Sequence, residues 1–330
     1  MLKVVLLLTP AMLPLIGAEW NRDAAFAFLE TRQQQWADWK PAQKPGGPCI
    51  SCHTGLPYLI ARNALASPVP ARFQQDLIQS TSARVLADPP HSMGFDDGAQ
   101  AVLNLWTLSM ARARPDAPPG KADQTALAML WKKQIRKGAR KGSWTWVLAG
   151  LEPWDSEHAN YFGTAVAVRA LRAYPETAAT GMAEARSYLE KEAPRQPLHN
   201  RMAWIAFSPT VKRTRDLVLA DLWTAQAEDG GWSTASLGPW MERPSAPADS
   251  GSNAYATAWA AYAAREAGVP CSDTRLARAL QWLMQAQNRQ TGAWHSISMN
   301  KAYPAGSEPA LFMTDAATGF AVAALLSCGK

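Results

Sequence analysis

Two kinds of helical pattern alternate along most of this chain. Segments such as TAVAVRALRA (164–173) and AYATAWAAYAAREAG (254–268) carry small residues almost all the way round, which predicts helices packed on several sides. Segments such as ARALQWLMQAQ (277–287) keep their apolar residues on one stripe, which predicts helices with one face toward solvent. β-branched runs with strict polar alternation are missing from the sequence, so we predict an all-α protein.

The two helix types belong to a repeat. Three stretches run in the same order: an outer-type helix ends, a Gln follows, a Gly-containing turn delivers a Trp, and an Ala-rich helix follows a polar loop. The turn tryptophans are Trp144, Trp232 and Trp294, and a degenerate earlier copy spans 94–116. Each helical hairpin of this kind can bury its apolar face only against its neighbours. The alternation therefore predicts an α/α toroid, a barrel of inner and outer helices.

The first 18 residues have the pattern of a secretory signal peptide. They contain one lysine, an apolar run and the small pair Gly17-Ala18 before Glu19. A retained membrane anchor is the alternative, but the apolar run is short and holds two prolines, so we favour cleavage after Ala18. The protein is therefore predicted to be periplasmic or otherwise exported.

The net charge of +6 and the pI near 9.2 are moderate. The basic residues concentrate in 132–142, which we interpret as a solvated face, with a docking patch for an acidic partner or lipid as the alternative. No nucleic-acid partner is expected for an exported protein.

The motif CISCH, residues 49–53, combines Cys49, Cys52 and His53. A thioredoxin-like dithiol would lie within βαβ units, and a structural zinc site would need a fourth ligand; the surrounding sequence offers neither. Covalent haem attachment needs two thiols spaced for the two vinyl groups, an adjacent imidazole for the iron, and export. We therefore predict one haem c, attached through Cys49 and Cys52, with His53 as the proximal iron ligand.

The segments AQAEDGGW and QAQNRQTGAW resemble the QW repeats of the squalene-hopene cyclase and prenyltransferase superfamily. The likeness covers roughly 95–328. Together with CISCH, the chain is similar to exported bacterial squalene-cyclase-like proteins that carry a haem-attachment motif before the barrel. The resemblance implies an α/α toroid over 95–330, after a signal peptide (1–18) and an N-terminal segment with the haem motif (19–94). We favour that segment as an extension lying against the barrel over a separate small cytochrome domain.

The chemistry of the superfamily is not expected here. Class II cyclases protonate an alkene with a D-x-D-D cluster, which this chain lacks. Asp96, Asp97 and Asp315 are interpreted instead as N-caps or first-turn residues of inner helices. Cys271, Cys328 and His295 do not match the zinc motif of protein prenyltransferases.

Two functions remain open. One is a haem c electron-transfer protein that serves a periplasmic redox partner. The other is a haem-assisted oxidoreductase or terpenoid-binding enzyme that takes an apolar, isoprenoid-like ligand into the barrel. An electron-transfer protein tolerates a ligand at the sixth iron position, whereas an enzyme acting at the iron needs that position open or displaceable. We predict Met313 as the sixth ligand, because inner helices of one direction would bring their starts to one mouth of the barrel. The alternatives at that mouth are His91, Met93, His158 and an open site.

Other polar and aromatic residues receive mainly structural interpretations. Trp144, Trp146, Trp154, Trp232 and Trp294 are expected to join helices, with lining of the barrel as the alternative. The loop residues Asp155, Glu157 and His158 face the mouth and are expected to be solvated. His199 and His295 are expected to be structural. Cys271 and Cys328 are predicted to form a disulfide, with two buried thiols as the alternative.

Overall fold

The computed structural model describes residues 19–44, 46–65, 72–87, 97–112, 118–156, 158–175, 179–208, 211–249 and 251–330, so the predicted signal peptide lies outside it. These residues form twelve α-helices and one two-stranded antiparallel sheet, which confirms the all-α prediction. The helices are α1 (Arg22–Asp38), α2 (Gly55–Ala64), α3 (Arg72–Ala87), α4 (Asp97–Ala111), α5 (Lys121–Lys133), α6 (Ala159–Leu171), α7 (Ala179–Glu192), α8 (Leu198–Phe207), α9 (Lys212–Thr224), α10 (Ala254–Glu266), α11 (Thr274–Ala286) and α12 (Glu308–Leu326); the strands are β1 (Gln43–Lys44) and β2 (Gly47–Pro48).

The even-numbered helices form a continuous series of contacts. Each of α2, α4, α6, α8 and α10 packs against the next even-numbered helix, and α12 packs against α2. The two helix types follow the sequence pattern: α6 and α10 bury nearly all of their residues, whereas α9 buries only Val218 and Leu222. Small residues all round a helix therefore accompany burial on nearly all sides in this protein.

Aromatic rings from four successive even-numbered helices meet in the core. Phe162, Phe207, Trp259 and Phe320 come from α6, α8, α10 and α12 and are at most 1% exposed. The ring centroids of Trp259 and Phe320 lie 4.7 Å apart, and those of Phe207 and Trp259 lie 5.7 Å apart. Such contacts add stabilisation beyond the buried apolar area. These four rings therefore occupy part of the space shared by the helices, and a cavity of about 140 Å³ lined by Trp106, Tyr262 and Ala323 also lies between them.

The Gln and Trp of each repeat join three parts of the chain by hydrogen bonds. The turn tryptophan donates its indole N–H to a carbonyl of the odd-numbered helix before it. The Gln amide donates both to the turn and to the start of another odd-numbered helix. The indole bonds are Trp144 to Leu130, Trp232 to Leu222 and Trp294 to Leu283; the amide bonds run from Gln134 to Gly142 and Gly181, from Gln226 to Gly230 and Arg275, and from Gln287 to Gly292 and Asn21.

The last repeat turn packs on the first helix of the chain. The Gln287 amide donates to the Asn21 carbonyl at 3.0 Å and accepts from the Asn21 N–H at 2.6 Å, just before α1. Gly292 has a φ of +79°, and a Cβ placed there would lie 2.1 Å from the carbonyl carbon of Ala24. Only glycine allows this approach. The turn after α11 thus contacts α1 in the way that the two earlier turns contact α7 and α11.

The N-terminal segment contributes α2 to the series of even-numbered helices. Residues 55–61 of α2 are all buried, and α2 packs between α12 and α4. A Cβ on Gly319 of α12 would lie 2.5 Å from Pro57 Cβ, so the two helices touch closely. The expected extension lying against the barrel is therefore a structural member of the helix array, and its apolar residues share the main core. The predicted boundary near residue 94 falls outside the described residues.

Within the described residues, α12 is the one helix long and apolar enough to span a membrane. Of its most apolar window, 72% is buried inside the protein. Its apolar character matches the burial of most of its surface inside the protein.

We expect Gln287→Ala to lower the free energy of unfolding by about 2–4 kcal/mol, because it removes three hydrogen bonds of a buried side chain and leaves their partners without replacements. Gln281→Ala, on the exposed side of α11, is the control and should change stability by less than about 0.5 kcal/mol. Equilibrium unfolding in urea measures both. Equal effects would contradict a stabilising contribution of the three Gln287 hydrogen bonds.

Cys271 and Cys328 are joined by a disulfide that links the chain just before α11 to the chain just after α12. The bridge closes a loop with a sequence separation of 57 residues. Removing it with Cys271→Ala and Cys328→Ala should lower stability by about 2–4 kcal/mol, mainly by freeing the unfolded chain. Thiol labelling of the denatured, unreduced protein checks the pairing, since labelling at both positions would rule it out.

Candidate functional site

The CISCH motif forms the tight turn that leads from β2 into α2. The Trp36 indole N–H donates to the Cys49 carbonyl at 2.7 Å, which ties the motif to α1. The Ser51 hydroxyl accepts from the backbone N–H groups of Thr54 and Gly55 at 3.1 and 2.9 Å, and so satisfies donors at the start of α2. Local hydrogen bonds therefore fix the shape of the motif.

Aromatic rings surround His53. Its imidazole stacks on Phe312 of α12 with centroids 3.6 Å apart, and Trp36 and Trp154 lie at 5.0 and 6.0 Å. Burial, with the positive charge of Arg32 nearby, lowers the pKa of His53 to about 3. The imidazole is therefore neutral at physiological pH and held in one orientation.

A chain of hydrogen bonds runs from His53 into α12. The Nδ1 atom of His53 lies 3.0 Å from the Thr54 hydroxyl, which lies 2.7 Å from Oδ2 of Asp315. Both Asp315 and Thr54 are at most 2% exposed. The Nε2 atom of His53 makes no hydrogen bond with a described residue.

Arg32 of α1 neutralises the far end of this chain. Its Nε donates to Asp315 at 2.7 Å, its Nη2 donates to both Asp315 and Glu308, and its Nη1 donates to Glu308 and Gln35. All five guanidinium donors therefore have partners. Burial alone would lower the pKa of Arg32, but the hydrogen bonds to Glu308 and Asp315 outweigh it and raise the pKa. Burial raises the pKa of Asp315 to about 6, against the lowering effect of Arg32 and Thr54.

The donors and acceptors of this chain fix the tautomer of His53. Asp315 accepts from Arg32 on both oxygens, so at neutral pH it is an ionised acceptor. The single hydroxyl proton of Thr54 must then point at Asp315, which leaves an oxygen lone pair facing His53. The Nδ1 atom of His53 therefore carries the imidazole proton, and the lone pair of Nε2 is available as a ligand.

A cavity of about 140 Å³ adjoins the motif. Its lining includes Cys49, Cys52, His53, Leu103, Trp146 and Asp155. Both cysteines are buried and outside any disulfide. Burial is the main cause that raises the pKa of Cys52. The structure thus brings Cys49, Cys52 and His53 to one cavity, whose otherwise mainly apolar lining includes the polar residues Ser51, Gln100 and Asp155.

Asp155 is half-buried, and one of its carboxyl oxygens is shielded from solvent, although its loop position suggests full solvation. Its backbone pairs with Leu151 through two hydrogen bonds, which turns the loop inward before α6. Burial raises the pKa of Asp155 to about 7, and its Oδ1 has no hydrogen-bond partner. Glu157 lies outside the described residues, and His158 is the N-cap residue of α6. A half-buried acid therefore lines the cavity that Cys52 also lines.

The structure corrects the expected setting of Met313. Helix α12 begins at Glu308 after the N-cap Ser307, so Asp315 lies in the helix interior and is not an N-cap or first-turn residue. Met313 is buried in the main core and is not among the residues that line the cavity beside His53. Asp97 begins α4, whereas His91, Met93 and Asp96 lie outside the described residues.

The remaining candidates divide between structural and site positions. His199 is buried and contacts Asn200 and Tyr255 through its two ring nitrogens, and His295 is exposed. Burial lowers the pKa of His199 to about 4. Trp146 lines the cavity and Trp154 lies beside His53, while the three turn tryptophans join helices. The prediction that tryptophans join helices thus agrees with the contacts of Trp144, Trp232 and Trp294.

No known family model matches this chain, and no curated protein is significantly similar to it in sequence. What the protein does must therefore be inferred from its own residues.

The donor set at the cavity fits a covalently attached haem. Two thiols and an imidazole with an unused Nε2 meet there, and the other nitrogen has the outer hydrogen bond typical of histidine ligands. Within the described residues, no three His, Cys, Asp or Glu side chains are grouped as around a bare metal ion. A volume of about 140 Å³ is below the roughly 300–1,000 Å³ of pockets that enclose ligands. The cavity alone would therefore not enclose a haem.

The sequence does not predict that Arg32 and Phe312 belong to the site. It also does not predict that Asp315 points into the protein. Arg32 and Asp315 are separated by 283 positions, so no local spacing links them. One signal is present in the sequence. A charged Arg within the helical stretch of 22–38 and an Asp within the apolar stretch of 308–326 would each need a buried partner.

Arg32→Met should lower the free energy of unfolding by about 3–5 kcal/mol, because it leaves the buried carboxylate of Asp315 without its cation. The double variant Arg32→Met with Asp315→Asn should lose less than the single variant, since the uncompensated charge is gone. Arg22→Met, exposed on the same helix, is the control. Urea unfolding at pH 7 measures the stability of all three variants. A double variant less stable than Arg32→Met alone would contradict the pairing of Arg32 with Asp315.

Proposed function

We propose that this chain is an exported haem c protein that transfers electrons. Cys49 and Cys52 would attach the group, and His53 would ligate the iron through Nε2. One observation carries this proposal: Nδ1 of His53 is anchored to Thr54, whereas Nε2 makes no hydrogen bond with a described residue and shares a cavity with both thiols. The same residues serve no structural disulfide or bare-metal cluster among the described positions.

The chain's own residues would prepare the ligand. A bound haem supplies an iron that changes oxidation state by one electron. The rings of Phe312, Trp36 and Trp154 hold the imidazole plane, and Thr54 holds its tautomer. The apolar cavity walls limit water around the site, which is one of the factors that set a potential.

We also propose that the helices form the α/α toroid of QW-repeat proteins. The even-numbered helices would be the inner barrel and the odd-numbered helices the outer layer. Two contacts support this arrangement: α12 packs against α2, and Gln287 repeats toward Asn21 the bonds that Gln134 and Gln226 make toward the next outer helix. The aromatic contacts of Trp259 with Phe207 and Phe320 occupy part of the space where a cyclase would hold a long isoprenoid, and the cavity between these helices has a volume of only about 140 Å³.

A second function is favoured by Asp155. A haem-assisted oxidoreductase needs an open iron position and a proton donor or acceptor nearby. Asp155 lines the same cavity and has an unpartnered carboxyl oxygen. Neither Met313 nor another methionine or second histidine lines that cavity among the described residues. Carbon monoxide binding to the reduced protein separates the two functions, since an open site binds it and a relay with a firmly bound sixth ligand does not.

The proposed partner of the relay is a periplasmic redox protein. An apolar ligand in the barrel remains the partner of the alternative enzyme, and residues 1–18 remain the proposed export signal.

Full-length protein produced with a haem-maturation system should carry one covalent haem. We expect haem staining on a denaturing gel, a haemochrome spectrum and a mass increase of one haem, because both thiols and His53 face one cavity. Cys52→Ser should lose the thioether at that position, and Cys49→Ser with Cys52→Ser should lose all covalent haem.

Cys271→Ser with Cys328→Ser is the matched control, since it also removes two cysteines but none near His53. This variant should keep its haem. A matured wild-type protein with the mass of the bare polypeptide would exclude the proposed cofactor.

A further inference from the structure

We propose that Thr54, backed by Asp315 and Arg32, is a positioning residue that lowers the reduction potential of an iron bound to His53. It would do so by making the imidazole a stronger electron donor. The inference rests on the proposed haem function and adds to it the direction in which this chain biases the iron.

The geometry gives the direction of each hydrogen bond. His53 Nδ1–H donates to Thr54 at 3.0 Å, and Thr54 donates to Asp315 at 2.7 Å. Hydrogen bonds in such a chain polarise one another, so a carboxylate at its end draws the Nδ1 proton away from the ring. The ring then holds more electron density at Nε2, on the side of the cavity.

The charge of the cluster acts in the same direction. Arg32 contributes one positive charge, whereas Asp315 and Glu308 contribute two negative charges, so the three groups carry a formal charge of −1. Arg32 and Asp315 have side-chain exposures of 3% and 1%, so water screens them little. Glu308 is 18% exposed, so the cluster is largely but not fully shielded, and its negative charge would stabilise ferric iron over ferrous iron.

Arg32 also explains why the imidazole would be polarised only in part and would keep its Nδ1 proton. Its guanidinium holds Asp315 ionised and in place, and it prevents the carboxylate from taking the histidine proton outright. The Thr54 hydroxyl separates imidazole and carboxylate, so the ring is polarised without being deprotonated. A haem held in this way gives up its electron readily, and the partner that reduces it needs a lower potential still.

The test is a redox titration of haem-loaded Thr54→Val. This variant keeps the side-chain shape and removes the hydroxyl. At a fixed ambient potential, the ferrous-to-ferric ratio should rise about tenfold over wild type, which corresponds to about 59 mV for a one-electron couple. The iron–histidine stretching band of any five-coordinate ferrous form should also move to lower frequency.

Two variants separate this role from a structural one. Thr54→Ser keeps the hydroxyl and should restore the ratio to within about twofold of wild type. Thr81→Val removes another fully buried threonine hydroxyl, bonded to Leu77 in α3, and should leave the ratio unchanged.

The outcomes are distinct. A Thr54→Val shift no larger than that of Thr81→Val, or a Thr54→Ser shift as large as that of Thr54→Val, overturns this inference while the haem proposal stands. Failure of the wild-type protein to attach haem overturns both.

Discussion

The buried carboxylate of Asp315 is the constraint on which the arrangement of this protein depends. An ionised side chain at 1% exposure is stable only with a cation and hydrogen-bond donors beside it. Arg32 and Thr54 supply them, and both come from the opposite end of the chain. Helix α12 therefore reaches its place only against α1 and α2. The same contact sets the position of His53, so the fold and the candidate site share one interaction.

The sequence predicts the helix types well because burial leaves a direct trace in composition. The small residues of α6 and α10 predict burial on nearly all sides, and the single apolar stripe of α11 predicts burial on one face, as the structure shows. The Gln and Trp of each turn are equally readable, since each performs the same hydrogen bonding in every repeat. The place of α2 is not readable in this way. The short helix α2 has no repeat turn before it, and its neighbour α12 lies about 260 positions away along the chain.

For the candidate site, the sequence predicts the three residues of CISCH but not their support. Local spacing brings Cys49, Cys52 and His53 together, whereas contacts between distant segments bring Arg32 and Asp315 to them. The sequence pattern places Asp315 at the start of a helix, because it does not reveal that α12 begins seven residues earlier, at Glu308. The position of Asp315 inside the helix is therefore not predicted. The loop of Asp155 similarly turns inward through a backbone pairing that leaves no mark in side-chain composition.

The position of Phe312 determines when the CISCH motif can become covered. This ring covers the His53 imidazole and belongs to the last helix of the chain, whereas an exported chain enters its new compartment from the N-terminal end. If the chain is exported as proposed, the CISCH segment would arrive well before the residue that covers it. The thiols would then be accessible to a modifying enzyme until the remaining chain had passed. Packing of α12 would end that interval, and later access would require the two ends of the protein to separate.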